Sequence, residues 1–150
     1  MTGRGALAIL LTVLVSQALP GTARALDFVS TARAAILYDA PSRAAEKVAA
    51  VSASYPLEKI SAVEGWVKVR DDTGRLSWLE ASALGTQRTL RIAVPIALVM
   101  EKPADDSKPR FRAAEGVVLD IVQPPSTGWV KVRHASGQEG YLRSRDAWGL

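Results

Sequence analysis

Apolar and polar positions alternate in short stretches along most of this chain. The clearest is Gly65-Trp66-Val67-Lys68-Val69-Arg70, which returns unchanged as Gly128-Trp129-Val130-Lys131-Val132-Arg133, 63 positions on. In an extended strand, successive side chains point to opposite faces. Val67 and Val69 therefore share an inner face, and Trp66, Lys68 and Arg70 share an outer one. The correspondence continues at the same offset: Gly74 answers Gly137, Trp78 answers Tyr141, and Leu79 answers Leu142. The chain thus holds two copies of one module, and a repeat takes precedence over any single feature.

The same alternation and the turn residues predict the other elements. Ala35 to Asp39 reads as a strand stopped by Ala40-Pro41-Ser42, since proline fixes φ and lacks a donor. Ser42 to Ala50 has helical composition but in so small a module reads as a loop with at most one helical turn. Tyr55 to Val63 is a strand, Asp71 to Gly74 a hairpin turn, Leu76 to Glu80 a strand, and Ala81 to Leu84 a closing turn. Gly85 to Thr89 is the linker, short enough to hold the two modules side by side. In the second copy, Ile92 to Met100 is a strand interrupted at Pro95, and Glu101 to Pro109 is a polar loop. Val117 to Val122 is a strand, and Gln123 to Thr127 is a loop one residue longer than its counterpart. His134 to Gly137 is the hairpin turn, and Gly140-Tyr141-Leu142 follows. Short strands, evenly spaced turns and no long helix predict an all-β chain of two small tandem barrels, about five strands each. The expected division is residues 26–86 and 87–150.

Residues 1–25 stand apart. Arg4 precedes an apolar run from Ala6 to Val15 broken only by Thr12, and Ala23-Arg24-Ala25 places small residues where a signal peptidase inspects. This predicts a secretory signal peptide cleaved between Ala25 and Leu26, with the protein periplasmic or secreted. The apolar run is shorter than the roughly 20 residues a membrane span requires, so no span is expected after cleavage. Arg4 and Arg24 leave with the leader. Of 19 basic residues 17 then remain against all 15 acidic ones, a net charge of +2 rather than +4. So small an excess, in an exported protein, argues against nucleic acid as partner. It allows weak, salt-sensitive attraction to anionic envelope polymers. The chain has no cysteine, so neither a disulfide nor a lipid anchor on cysteine is available. Modules of about 60 residues bury only about 60% of their unfolded surface, so each copy is expected to be modestly stable; the protein is expected to be a monomer.

Each copy resembles a bacterial SH3-like domain. The residues that carry the resemblance are Pro41-Ser42 after the first strand (Pro103-Ala104 in the second copy), then Gly-Trp-Val-Lys-Val, then the glycine four positions before Trp78-Leu79 or Tyr141-Leu142. The resemblance implies a five-stranded barrel with a non-enzymatic binding role in the cell envelope, where peptidoglycan or cell-wall peptides are the ligands to expect. Leu37-Tyr38-Asp39 is also similar to the start of eukaryotic SH3 domains, whose tyrosine lines a groove for proline-rich peptides. Glu80 and Ala83 stand where that family has groove proline and tyrosine, and Met100 replaces Tyr38 in the second copy. Recognition of proline-rich peptides is therefore not carried over.

Catalytic chemistry finds little support. A thiol peptidase needs cysteine, a zinc site needs several converging ligands, and His134 is the only histidine, in a predicted turn. No serine sits in a nucleophile elbow. Asp71-Asp72 and Asp105-Asp106 are adjacent turn residues that point apart. The expectation is a non-enzyme without cofactor or metal. The candidate ligand-binding residues are the outer-face aromatics Tyr38, Trp66, Trp78, Trp129 and Tyr141, since flat apolar rings beside donors suit peptides and glycans. Trp66 and Trp78 are expected to be cross-strand neighbours. These rings are either open to a ligand or covered by the other module, with cover by the other module favoured for one copy and an open face for the other. The partner is then a cell-wall polymer or, in the alternative of a scaffold, another exported protein. Intact-mass measurement of the exported protein tests the leader: it is expected to begin at Leu26, and retention of residues 1–25 would contradict that reading.

Overall fold

The computed structural model describes residues 26–150; the expected signal peptide lies outside the described residues. The first half contains β1 (Phe28–Thr31), β2 (Ala35–Tyr38), β3 (Lys47–Val51), β4 (Pro56–Val63), β5 (Trp66–Arg70), β6 (Leu76–Glu80), a 3-10 turn (Ala81–Ala83) and β7 (Leu84–Gly85). The second contains β8 (Thr89–Ile92), β9 (Ile96–Met100), β10 (Pro109–Ala114), β11 (Val118–Ser126), β12 (Trp129–Arg133), β13 (Glu139–Arg143), a 3-10 turn (Ser144–Asp146) and β14 (Ala147–Trp148). The sheets run β3-β2-β6-β5-β4-β1-β7 and β10-β9-β13-β12-β11-β8-β14. One topology is thus written twice, with seven strands per copy where about five were expected. The additional strands are the short pairs that open and close each copy, β1 with β7 and β8 with β14.

Several of the sequence-based assignments need correction. Residues 47–51 form β3 rather than loop or helix, and β10 occupies a stretch that the alternation left unassigned. Both strands pair with the preceding strand and carry the same irregularity, Tyr38↔Lys47 after Leu37↔Ala49 and Met100↔Pro109 after Val99↔Phe111. Alanine and lysine favour helix locally, but Val51 and Ala113 point into the cores, and cross-strand packing overrides propensity. β11 also runs on through Pro124-Pro125 to Ser126, where a loop was expected.

Inner faces follow the alternation. Leu37, Leu57, Val67, Val69 and Leu79 fill the first core, and Val99, Leu119, Val130, Val132 and Leu142 the second. Gly65 and Gly128, each with positive φ, turn the chain into the repeated strip.

The modules meet at a seam built from β1, β4, β8 and the last residues. The Thr89 backbone N–H donates to Ser30 Oγ at 3.2 Å, and the Ser30 and Thr89 hydroxyl oxygens lie 2.7 Å apart. Thr89 Oγ1 in turn donates to the Ser54 carbonyl at 2.7 Å. One direction satisfies the whole relay, with Ser30 donating to Thr89. Phe28 meets Trp148 edge to face at 5.1 Å. Arg91 of the second module pairs with Asp72 of the first, which also accepts from the Tyr55 hydroxyl at 2.7 Å. Burial, and then that hydrogen bond, push the Tyr55 phenol up to about 12. The core faces make a direct prediction. Val69→Asp and Val132→Asp, each at a fully buried position, should cost several kcal/mol and unfold their own modules. Lys68→Ala, on the outer face, should leave the denaturation midpoint nearly unchanged.

Candidate functional site

The hairpin joining β5 to β6 brings the outer-face aromatics of the first module together. Trp66 stands opposite Glu80 and Lys68 opposite Trp78, while Tyr38 on β2 pairs with Trp78 from the other side. Trp66 and Trp78 are therefore diagonal neighbours rather than directly opposed, within reach for side chains of this size. Tyr38 is buried under Trp66, the rings perpendicular with centroids 5.4 Å apart. Trp66 and Trp78 are half-buried. The Lys68 ammonium lies 5.8 Å from the centre of the Trp78 ring, a cation on an aromatic face.

An ion pair borders this face. Arg43, on the loop between β2 and β3, forks onto Glu80 with contacts of 2.9 and 2.7 Å. That hydrogen bond holds the Glu80 carboxyl below its usual range and raises the Arg43 guanidinium. It ties the loop down next to Trp66.

The second module keeps the plan and changes the chemistry. Met100 takes the place of Tyr38 beside Tyr141. Position 80 is answered by Arg143 and position 43 by Asp105, and these two also form an ion pair, with the charges exchanged. Arg143 lies over Trp129, its guanidinium carbon 4.2 Å from the ring centre. Trp129 is consequently 7% exposed. Leu76, 51% exposed in the first module, is answered by Glu139. That carboxylate pairs with both Lys131 and Arg133, at 3.3 and 2.8 Å, and the two hydrogen bonds hold it below its usual range, Arg133 contributing more. In the first module Arg70 turns instead to Glu58 on β4, in a fork of 2.8 Å contacts. Lys68 is left without an ion pair among the described residues.

Of the five candidate aromatics, three, Tyr38, Trp66 and Trp78, form one cluster in the first module. Trp129 and Tyr141 occupy the matching face of the second. The expectation that one set of rings is covered by the other module is overturned. The seam uses Phe28, Ser30, Ser54 and Asp72 against Thr89, Arg91 and Trp148, and Trp129 is covered by Arg143 of its own module. Arg43, Glu80, Asp105 and Arg143 were missed as candidates. The signal for them lay in aligning the copies, where charge is exchanged at both positions of one pair.

His134 replaces Asp71 at the hairpin turn, and its Nδ1 accepts from the Ser136 N–H at 3.2 Å, as Asp71 Oδ1 accepts from the Thr73 N–H at 3.0 Å. Among the described residues, no group of three or more His, Cys, Asp or Glu converges as a metal site requires, and no helix is long and apolar enough to cross a membrane.

The family described as bacterial SH3 domain matches the chain twice, over residues 32–85 and 93–149. No curated protein matches it. Similar solved structures include NlpC2 from Trichomonas vaginalis, at 12% identity and TM-score 0.38 over 83% of this chain and 48% of that one. NlpC1 from Trichomonas vaginalis matches at 13% and 0.39, over 92% and 50%. An NlpC/P60 family protein from Bacillus cereus ATCC 10987 matches at 14% and 0.37, over 81% and 56%. The chain spans about half the length of these structures, and likeness of this degree carries no argument about what it does.

Asp71 anchors the hairpin that carries both tryptophan strands. Burial opposes its charge, yet hydrogen bonds from Thr73 and Arg75 hold its carboxyl below the usual range. A depressed folded-state value stabilises the fold above the unfolded value of about 3.9, and that stability is lost as pH falls through the folded value. Asp71→Asn should therefore lower the melting temperature at neutral pH, and the gap between variant and parent should close below about pH 4. A gap independent of pH would remove the carboxylate from the account.

Proposed function

Because the chain belongs to the bacterial SH3 domain family, we propose that it is a non-catalytic binding module of the cell envelope, exported and directed at peptidoglycan or a wall-associated peptide. The observation that carries this reading is the outer face of the first module. Trp66 and Trp78 form a half-buried apolar surface over Tyr38, with an ammonium and a hydrogen-bonding rim alongside. Flat rings flanked by a few polar groups suit sugar faces and peptide side chains. His134 is engaged in its turn, which supports binding rather than turnover. The scaffold reading has one observation in its favour, the seam that holds both modules in a fixed geometry. Crosslinking in cells from a probe at position 66 separates the two, since it captures either wall polymer or an exported protein.

Purified sacculi test the main reading. The protein should sediment with them at low salt and less so at high salt, because exposed charges are screened. Trp66→Ala should weaken retention about tenfold while the circular dichroism spectrum is kept. Absence of retention at low salt would overturn the assignment to the wall.

A further inference from the structure

The two copies answer the same folding problem, so their cores use matching positions with only apolar exchanges such as Leu37 for Val99 and Val51 for Ala113. Differences on the outer faces therefore report something other than the fold. Two differences act in one direction. At the position of Glu80, the second module has Arg143, which lies on Trp129 and is tied by Asp105. At the position of Leu76, it has Glu139, which neutralises Lys131. The first module lacks both closures. Its Glu80 is turned to Arg43 on the rim, Trp66 stays only half-buried, and Lys68, beside Trp78, has no ion pair among the described residues.

We infer that the chain carries one open site, not two. The first module takes a carboxylate-bearing ligand, its anion on Lys68 and its apolar body on Trp66 and Trp78, while the Arg143–Asp105 pair closes the matching face of the second. The class of ligand follows from charge complementarity. Arg70 and Arg43 already hold carboxylates of the protein, whereas Lys68, which lies beside the Trp78 ring, has no ion pair among the described residues and is the cation at these rings placed to meet an incoming one. Beside an aromatic surface the attraction between that carboxylate and the Lys68 ammonium is screened less than in open water. The inference rests on the reading of this face as a binding surface and adds its stoichiometry and its charge.

Two measurements test it. The first uses N-acetylmuramate, a sugar bearing a carboxylate, against N-acetylglucosamine, which lacks one. At millimolar concentration N-acetylmuramate should shift the indole N–H resonances of Trp66 and Trp78 and leave that of Trp129 in place. Leu76→Glu, which installs the acid that the second module already tolerates, should abolish those shifts, as should Lys68→Gln. Equal shifts from both sugars, no shift from either, or movement of Trp129 alongside Trp66 would overturn the inference. Sacculus binding that survives such a result leaves the broader reading standing, and shifts without sacculus binding sink only the wall. The second measurement is oxidation by N-bromosuccinimide with peptide mapping. Trp66 should react before Trp129, and Arg143→Ala should bring Trp129 to the rate of Trp66. Exchanging the pair, Asp105→Arg with Arg143→Glu, should do the same while keeping an ion pair on the loop. Equal rates in the parent, or a protected Trp129 in both variants, would refute the closure.

Discussion

Period-two alternation is the constraint on which the rest depends. Within the repeated strip it hands each second side chain to a core that must be filled, and leaves the others to solvent. Val67, Val69, Val130 and Val132 are therefore the same in both modules and nearly or fully buried. Trp66, Lys68, Trp129 and Lys131 are also the same in identity, yet their surroundings differ. Conservation of the strip within one chain thus has two causes, core packing on one side and a shared outer scaffold on the other.

The outer scaffold was altered by its neighbours rather than by its own residues. A guanidinium at position 143 covers Trp129, and a carboxylate at position 139 engages Lys131. The first module has a carboxylate and a leucine in those places, and its Arg70 finds Glu58 on the adjacent strand. Three changes of partner convert one aromatic face into two of different character, while the core residues of the paired strands, Val67, Val69 and Leu79 against Val130, Val132 and Leu142, are kept. Charge exchange at 43/80 and 105/143 keeps the loop anchored in both cases, so the anchor places little demand on which side of the pair is positive.

Much of this architecture is legible in the sequence. The strip, with the glycine that opens it, and the hairpin turns marked β4 to β6 and β11 to β13, because in each the local pattern and the tertiary role agree. β3 was not legible, since Ser42 to Ala50 is rich in helix formers and its strand exists only by pairing with β2. The outer aromatics could be named from alternation alone, but their cover could not, because Arg143 and Asp105 are distant in sequence and ordinary in composition. The seam was hidden for a related reason. Ser30 and Thr89 look like surface residues, and only burial at 2% and 0% exposure reveals them as its centre.

That seam has a mechanical consequence. Among the described residues its joints include a hydroxyl relay, an ion pair and a pair of rings. Hydrogen bonds depend steeply on distance and angle, so such a joint resists small displacements strongly and large ones hardly at all. The two barrels are stiffly registered yet brittle at their junction. Under tension along the chain, the contact between them would part before either barrel frays, leaving two intact folds joined by the few residues around Thr86 to Arg88.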